Sequence, residues 1–253
     1  LVVDDLSTGN KANLNPKARF YEVDLRDAEA LERVFVAERP EGICHLAARA
    51  NVRESMIEPI LYAQVNIIGS LALLECARKY GTKKIVYAST GGAVYGEPQY
   101  LPVDENHPIM PLDPYGASKH QVEHYLYIYR THYNVDYTIL RFPNVYGPRQ
   151  DPYGEAGVVS IFTGQMLNGG TPIINGTGEQ QRDFVFVTDI ARANVLALTR
   201  GGGEIYNLGS GVGTSVNEIF RLLREITGSR CEEIHGAAKL GEVFKTYLTT
   251  EKA

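Results

Sequence analysis

The sequence has little cysteine, with three residues in 253, at positions 44, 76 and 231. They lie far apart, and none forms a CxxC pair, the spacing typical of redox and zinc sites. Cys44 and Cys76 stand in apolar segments, where a free thiol behaves as a small apolar side chain. We therefore expect no metal site and no redox site, and the free thiols fit a cytoplasmic protein.

The chain also lacks a basic surplus and a long apolar run. Its formal net charge at pH 7 is −5, which argues against nucleic acid as a partner. No uninterrupted apolar run approaches the ~18 residues that a membrane span needs. We therefore expect neither nucleic acid nor a membrane as a partner.

Short apolar runs alternate with segments of helical period over residues 1–150. The runs predict strands, and the longer segments predict helices at 27–39, 59–81 and 114–134. This β-α-β-α order predicts an α/β fold, with a doubly wound parallel sheet covered by helices on both faces. After residue 150 the pattern loosens. We expect a smaller α+β substrate lobe over 151–253, with segments around 183–210 returning to the first sheet.

Acidic residues follow two of the predicted strands. Ligands of a doubly wound sheet bind at the carboxyl ends of its strands, where an acidic residue accepts hydrogen bonds from the ribose of NAD. Asp4 and Asp24 stand at such ends, and Asp5 follows Asp4. A single aspartate is better explained as a turn residue or a helix cap. Several strand ends with suitable residues together favour a dinucleotide site.

The glycine-rich loop that accompanies such an aspartate is absent from this sequence. It precedes the aspartate by about 20 residues, and only three residues precede Asp4. The strings GTGEQ and GSGVG occur later, within polar or turn-like segments. We interpret both as turns rather than phosphate loops.

The sharpest chemical motif is PYGASK at 114–119. Tyr115 and Lys119 are four residues apart, so on a helix both project from one face. A nearby ammonium favours the tyrosinate and lowers the phenol pKa from its usual ~10. Tyr115 is then a candidate general base for an alcohol. Because this spacing is common by chance, the motif alone is better explained as a surface tyrosine and lysine with no joint role.

With YASTGGAVYG at 87–96 ahead of this motif, the chain resembles the NAD-dependent epimerase/dehydratase family of the extended short-chain dehydrogenase/reductase superfamily. Among its members it is most similar to the 4-epimerases of UDP-glucose and UDP-galactose. The resemblance covers essentially the whole chain through segments in the family's order: VVDDLSTG, EVDLRD, HLAARANVRES, VNIIGS, LRFPNVYGPRQ, GEQQRDFVFVTDIA and YNLGSG. It implies a Rossmann-like fold whose first strand and glycine loop precede Leu1.

The resemblance implies NAD as the cofactor and a role for each matching residue. The implied cofactor contacts are Asp4, Asp5, Asp24, Leu25, Leu46, Ala47, Ala48, Asn66, Ser89, Tyr115, Lys119 and Pro143. Tyr115 would be the catalytic base, and Lys119 would hold the nicotinamide ribose and depress the tyrosine pKa. The implied contacts with a nucleotide sugar are Thr90, Gly91, Asn144, Gly157, Val158, Arg182 and Lys239. Arg182 alone would be read as a surface ion pair, and its GEQQRDFV context favours the diphosphate instead.

The resemblance also implies the reaction, an epimerisation at C4 of a nucleotide sugar through a transient 4-keto intermediate. NAD would be regenerated within each cycle. Two alternatives stay open. One is another epimerase of the superfamily, acting on UDP-glucuronate or UDP-N-acetylglucosamine. The other is a non-catalytic NAD-binding regulator, against which the intact Tyr115 and Lys119 speak.

The chain departs from the family pattern in several places. The hydroxyl residue usual three positions before VYG is Gly91 here, so either Thr90 or a water takes its role. Dehydratases and decarboxylases carry an acidic residue just before VYG, whereas residues 91–93 are Gly, Gly and Ala. Lys239 replaces an arginine that clamps the diphosphate in relatives, and it loses the bidentate fork. The modest side chain of Thr246 leaves room for an N-acetyl group.

Relatives in the family pair as dimers through two helices. In this chain these are the helices around 59–81 and 114–134, so we expect a homodimer. Tyr125, Tyr129 and Tyr133 recur every fourth residue and form an aromatic stripe on the second helix. The stripe suits an interface and packing against the sheet equally well.

Overall fold

The chain folds into two compact units of interleaved segments, as seen in a computed structural model that describes residues 1–152, 157–238 and 243–253. The first unit comprises Leu1–Ser89, Leu112–Leu140 and Asn194–Ile205. The second comprises Thr90–Pro111, Arg141–Ala193 and Tyr206–Ala253. Residues 90–111 and 141–150, inside the first predicted domain, thus pack in the second unit. The functional boundary near residue 150 stays a prediction.

Parallel strands form the frame of the first unit. Strands β1 (Val2–Asp4) and β2 (Phe20–Glu22) pair in parallel. A four-stranded sheet has the order β10-β5-β4-β3, made of Glu204–Asn207, Asp136–Phe142, Lys84–Thr90 and Gly42–His45. Every residue of β4 is buried, as expected of a strand with helices on both faces. The predicted doubly wound α/β fold is confirmed.

The helices of the first unit include α1 (Ala28–Glu38), α2 (Val52–Ile57), α3 (Pro59–Tyr62), a π-helical segment (Ala63–Gly69), α4 (Ser70–Tyr80) and α5 (Pro114–Tyr133). Three of them, α1, α2 and α5, begin at a residue whose side chain caps the helix. Asp113 accepts a hydrogen bond from the Gly116 amide at 2.7 Å, and Pro114 occupies the first helical position. This pairing of an N-cap with proline fixes where α5 starts. The short helix α2 was not predicted.

The helical stretch from Pro59 to Tyr80 is 22 residues long with a mean hydropathy of 1.5, enough by length and composition to cross a membrane. Its apolar residues have a place inside the first unit, because Leu73, Leu74 and Ala77 lie in the same buried cluster as residues of α1 and α5. Buried helices of sheet proteins commonly carry this composition. Packing in the core therefore accounts for part of the apolar character of the stretch, which is 44% buried.

Among its described residues the second unit has two strand pairs, one three-stranded sheet and two helices of its own. Helices α6 (Val158–Leu167) and α8 (Val216–Thr227) belong to it, and α7 (Val187–Ala197) runs across the unit boundary. Its strands are β6 (Asn144–Tyr146), β7 (Ile173–Asn175), β8 (Gln181–Arg182), β9 (Phe184–Phe186), β11 (Thr214–Ser215), β12 (Ile234–Gly236) and β13 (Lys245–Thr246). Gly176, Gly178 and Gly211 have positive φ, so the strings GTGEQ and GSGVG are turns, as predicted.

A buried carboxylate ties the second unit together. Asp183, 1% exposed, lies between β8 and β9. Its Oδ1 accepts bonds from the Ser210 amide at 2.7 Å and the Ser210 hydroxyl at 2.6 Å. Its Oδ2 accepts from the Gly211 and Leu248 amides, each at 3.2 Å. One side chain thus joins the β8–β9 junction to the GSG turn and the C-terminal segment.

Replacing Asp183 by alanine should lower the free energy of unfolding by about 3 kcal/mol, because four donors lose their acceptor inside the protein. Urea unfolding followed by circular dichroism measures this loss. Asp104→Ala is the matched control, since Asp104 accepts from Tyr100 Oη and the Asn106 amide at the surface. We expect the control to cost less than about 1 kcal/mol. Equal losses in the two variants would contradict the assigned role of Asp183.

Candidate functional site

The carboxyl end of β1 carries the two aspartates with which the sequence begins. Asp4 Oδ1 accepts a hydrogen bond from the Leu6 amide at 2.7 Å. Asp5 Oδ1 accepts from the Ser7 amide at 2.9 Å and from its hydroxyl at 2.7 Å. Both carboxylates therefore shape the turn after the strand. Within the described part of the chain no donor reaches Asp4 Oδ2, so this oxygen is open to a ligand hydroxyl.

Asp24 and Leu25, the two predicted residues after β2, have different surroundings. Asp24 is paired with Arg26 at 2.5 Å, and the guanidinium that donates to it lowers the pKa of this carboxyl. Leu25 is buried in the core. A Cβ atom at Gly69 would lie 2.9 Å from Leu25 Cβ, so this contact leaves no room for a larger residue on the π-helical segment. The predicted contacts of Asp24 and Leu25 with adenine stay predictions.

Small residues follow β3 and leave the backbone accessible there. Leu46 is 56% exposed, Ala47 is exposed and Ala48 is half-buried. The side chain of Asn66 fixes the next part of this segment. Its Oδ1 accepts from the Arg49 amide at 2.8 Å, and its Nδ2 donates to the Arg49 carbonyl at 3.0 Å.

The same Nδ2 of Asn66 donates to Ser118 Oγ at 2.8 Å, and Ser118 Oγ donates to the Tyr115 carbonyl at 2.8 Å. Asn66 thus links the segment after β3 to the first turn of α5. It lies in the π-helical segment, a geometry that is frequent at functional sites. Its predicted contact with the cofactor stays a prediction.

A buried histidine at the end of β3 was not predicted as part of the site. His45 is 4% exposed, and its Nε2 lies 2.7 Å from Ser70 Oγ. Because Ser70 Oγ already donates to the Asn66 carbonyl, it accepts here, and the His45 proton is on Nε2. Burial, together with the charge of Lys119, lowers the pKa of His45 to about 3. This imidazole is therefore neutral.

The first two turns of α5 carry the Tyr115 and Lys119 pair. Tyr115 is half-buried, whereas Lys119 is 3% exposed. The Lys119 ammonium lies 4.3 Å from the centroid of the Tyr87 ring, whose negative face stabilises a cation. Burial lowers the pKa of Lys119 to about 7, and the Glu123 carboxylate opposes that shift. The pair therefore sits on a dry helix face, where an ammonium acts strongly on its neighbours.

Glu123 is a second residue that the sequence patterns did not reveal as part of the site. It is 5% exposed, lies one turn after Lys119, and accepts a hydrogen bond from Ser89 Oγ at 2.6 Å. The signal was present in the sequence, since residues four apart share a helix face. Ser89, predicted as a cofactor contact, therefore has its hydroxyl directed to this carboxylate.

Thr90 is the last residue of β4 and Gly91 follows it, and both belong to the second unit. No partner among the described residues reaches the Thr90 hydroxyl, so it is available to a ligand. Gly91 donates its amide hydrogen to the Phe142 carbonyl at 2.7 Å. A Cβ atom at Gly91 would meet Leu248 Cδ1 at 2.5 Å. The buried Leu248 side chain thus fills the space that a serine at this position would need.

The other described residues that are predicted to contact the nucleotide sugar, together with the predicted cofactor contact Pro143, also lie in the second unit. Asn144 starts β6, opposite Phe184 of β9, and Pro143 precedes it. Arg182 ends β8, between β11 and β13, with Nη1 donating to the Gln181 carbonyl at 2.9 Å. Gly157 caps α6 and Val158 is its first residue, which suits an anion at a helix N-terminus. Lys239 lies outside the described residues, and its role stays a prediction.

Comparison with known proteins gives a consistent result. The sequence pattern of the NAD dependent epimerase/dehydratase family matches residues 1–209. The fold is similar to the crystal structure of UDP-glucose 4-epimerase with UDP-glucose from Thermotoga maritima, with a TM-score of 0.97 and 50% identity over 99% of this chain and 82% of that one. It is also similar to the Thermus thermophilus UDP-glucose 4-epimerase in complex with NAD, with a TM-score of 0.94 and 41% identity over 99% and 82%.

A third similar structure is an epimerase named for another sugar. The UDP-N-acetylglucosamine 4-epimerase from Methanobrevibacter ruminantium M1, in complex with UDP-N-acetylmuramic acid, has a TM-score of 0.93. It is 34% identical and is matched over 99% of this chain and 81% of that one. The fold is therefore shared by epimerases named for different sugars.

Replacing Gly91 by alanine should lower the free energy of unfolding by about 1–3 kcal/mol, because the new methyl group overlaps Leu248 in a packed core. Gly92→Ala is the matched control, since a Cβ there meets its nearest atom, Thr90 Oγ1, at an ordinary 3.9 Å. We expect the control to lie within about 0.5 kcal/mol of the parent protein. Urea midpoints of the two variants test this, and equal stabilities would show that Leu248 does not fill the Gly91 position.

Proposed function

Because this chain belongs to the NAD dependent epimerase/dehydratase family, we propose that it interconverts UDP-glucose and UDP-galactose by epimerisation at carbon 4. The observation that carries this proposal is the pair of Tyr115 and buried Lys119 on one face of α5. A phenol beside a desolvated ammonium is suited to take a proton from an alcohol near neutral pH.

The chain's own residues would handle the proton of the sugar 4-hydroxyl. Tyr115 accepts this proton as the 4-keto sugar forms and returns it when the hydroxyl is restored, so no proton is lost over the cycle. The Lys119 ammonium stabilises the phenolate that Tyr115 carries before it accepts the proton and again after it has returned it. NAD supplies the hydride acceptor and donor for carbon 4 and is regenerated in each turnover.

The first unit has residues whose chemistry fits NAD. The open Oδ2 of Asp4 suits a ribose hydroxyl, which needs an acceptor. The exposed Leu46 and Ala47 leave backbone accessible after β3, as a bulky cofactor requires. Lys119 would hold the nicotinamide ribose. The fit therefore supports a bound dinucleotide along the carboxyl ends of the parallel strands.

The second unit would supply the contacts with the nucleotide sugar. Arg182 offers a guanidinium, and the first turn of α6 at Gly157 and Val158 offers free amide donors, both apt for a diphosphate. Asn144 would assist them, and the Thr90 hydroxyl would contact the sugar. Residues 91–93 carry no carboxyl group, which supports epimerisation rather than elimination or decarboxylation.

UDP-N-acetylglucosamine is the second candidate substrate. The similar methanogen enzyme is named for it, and Thr246 on β13, which pairs with Arg182 on β8, has a modest side chain. A threonine leaves more space than an aromatic residue at that position. UDP-glucuronate is a third candidate, which the same assay covers. We also propose a cytoplasmic location, because the free thiols of the described residues suit a reducing compartment.

Product analysis of the full-length protein with UDP-glucose, UDP-N-acetylglucosamine and UDP-glucuronate tests this function. We expect UDP-galactose to appear from UDP-glucose, and Tyr115→Phe to lower kcat by about 10²–10⁴-fold, because it removes the acid–base group. Tyr127→Phe, on the same helix and 61% exposed, is the control and should keep its activity. Absence of any epimer, or an active Tyr115→Phe enzyme, would refute the proposal.

We also propose that the chain forms a homodimer through the helical stretch 59–80 and α5. These elements expose apolar side chains in the first unit: Ile60, Ile68, Tyr127 and Ile128 are 72%, 55%, 61% and 41% exposed. The predicted tyrosine stripe instead packs inward in large part. Tyr129 is 7% exposed and Tyr125 packs against the core, while Tyr133 is 49% exposed. The interface would therefore use neighbouring positions of the same helix.

The double substitution Ile68→Glu with Tyr127→Glu should convert the dimer to a monomer, because charged residues are excluded from the centre of interfaces. Light scattering coupled to size-exclusion chromatography gives the mass. Ile226→Glu on α8 is the control, since Ile226 is 78% exposed in the second unit. A monomeric parent protein, or a double variant that remains dimeric, would rule out this interface.

A further inference from the structure

The buried carboxylate of Glu123 has no role in the reaction as proposed above. Its Oε1 accepts from Ser89 Oγ at 2.6 Å, and its Oε2 lies 3.0 Å from His120 Nδ1. It is one helical turn beyond Lys119, and both side chains are nearly excluded from solvent. A buried carboxylate is costly unless it is hydrogen-bonded and paired with a charge. Its position beside an equally buried ammonium therefore calls for an explanation.

Each of the two buried charges lowers the cost of the other. Lys119 has the Tyr87 ring on one side, and the aromatic face is a weak partner for an ammonium that has lost its water. Glu123 is the residue whose negative charge favours the charged form of Lys119. At the same time the bond from Ser89, at the end of β4, prevents the carboxylate from turning away.

We propose that Glu123 is a positioning residue of the catalytic pair, which keeps the Lys119 ammonium charged and joins α5 to the end of β4 through Ser89. The inference about the reaction rests on the proposed function. The inference about Lys119 concerns the protein alone. In this role Glu123 acts on the reaction through Lys119.

The other titratable groups around this pair lie on three elements. On β3, His45 is neutral, because burial lowers its pKa to about 3. On β4, burial raises the pKa of Tyr87 well above its usual value, so this phenol is also neutral. On α5 itself, His120 contacts Glu123, and its Nε2 lies 3.0 Å from Nε2 of the exposed His124.

The two imidazoles on α5 therefore lie on the solvent side of Glu123. Because His120 donates from Nδ1 to the carboxylate, its Nε2 accepts from His124. This chain of hydrogen bonds connects Glu123 to the surface of α5. Glu123 is thus the charged group that stands between the histidines and Lys119.

The titration of Lys119 tests the proposal directly. Nuclear magnetic resonance of protein labelled with ¹³C at lysine Cε follows the ammonium, with Lys119→Met identifying its signal. In Glu123→Gln the midpoint of Lys119 should fall by about one pH unit, because loss of a nearby opposite charge disfavours the charged form. Glu75→Gln is the matched control. Glu75 also accepts a bond from an α5 residue, Tyr129, at the far end of the helix, and its replacement should leave the midpoint unchanged.

Catalysis gives a second measurement. A lower Lys119 pKa means that the ammonium is lost at lower pH, so the alkaline limb of the kcat profile should move to lower pH by the same amount. Glu123→Asp retains the charge and should move the limb less than Glu123→Gln. If the protein has no epimerase activity, the proposed function fails while the Lys119 titration still decides the role of Glu123.

An unchanged Lys119 midpoint in folded Glu123→Gln would overturn the proposal. Equal shifts in Glu123→Gln and Glu123→Asp would also overturn it, because the effect would then come from packing rather than charge. If Glu123→Gln does not fold, the Ser89→Ala variant tests the role of Glu123 instead. Removing the hydrogen bond to the carboxylate should lower the Lys119 midpoint, and no change in that variant would count against the role of Glu123.

Discussion

Burial of the Lys119 ammonium is the constraint on which the first unit's candidate site depends. A lone charge removed from water is unstable in a protein core. In the first unit three groups accommodate this charge: the ring face of Tyr87, the carboxylate of Glu123 and the neutral imidazole of His45. Each of these groups belongs to a different part of the frame, namely β4, α5 and β3. Holding the Lys119 ammonium in place therefore requires that α5, β3 and β4 keep fixed positions relative to one another.

The second unit buries its central charge by a different means. Asp183 is surrounded by backbone amides and a hydroxyl, and none of the hydrogen bonds it accepts from the described residues comes from a cation. Such an arrangement stabilises an anion through dipoles held by the fold. Arg182 comes directly before Asp183 in the chain. The hydrogen bonds of Asp183 therefore also fix the end of strand β8, which carries the Arg182 guanidinium. The two units thus use opposite charges one helical turn apart in one case and several hydrogen-bond donors in the other.

Sequence patterns predicted the elements that have local signals. The helix 114–134 was predicted from its helical period, with Pro114 suited to its start, and the strand 83–90 from its apolar run. The helix α2 and the strands β11, β12 and β13 were missed, since such short elements depend on partners distant in the chain. The Tyr115 and Lys119 pair was predicted from spacing. Ser89 was assigned to the cofactor from the resemblance, and its bond to Glu123 could not be predicted from the sequence because it arises only when β4 meets α5.

The close fit of Leu248 against Gly91 makes two positions far apart in the chain depend on each other. A larger residue at position 91 would need a smaller or displaced side chain at position 248. The length of side chain that the residue after β4 can carry is therefore set by the C-terminal segment, more than 150 positions away in the chain.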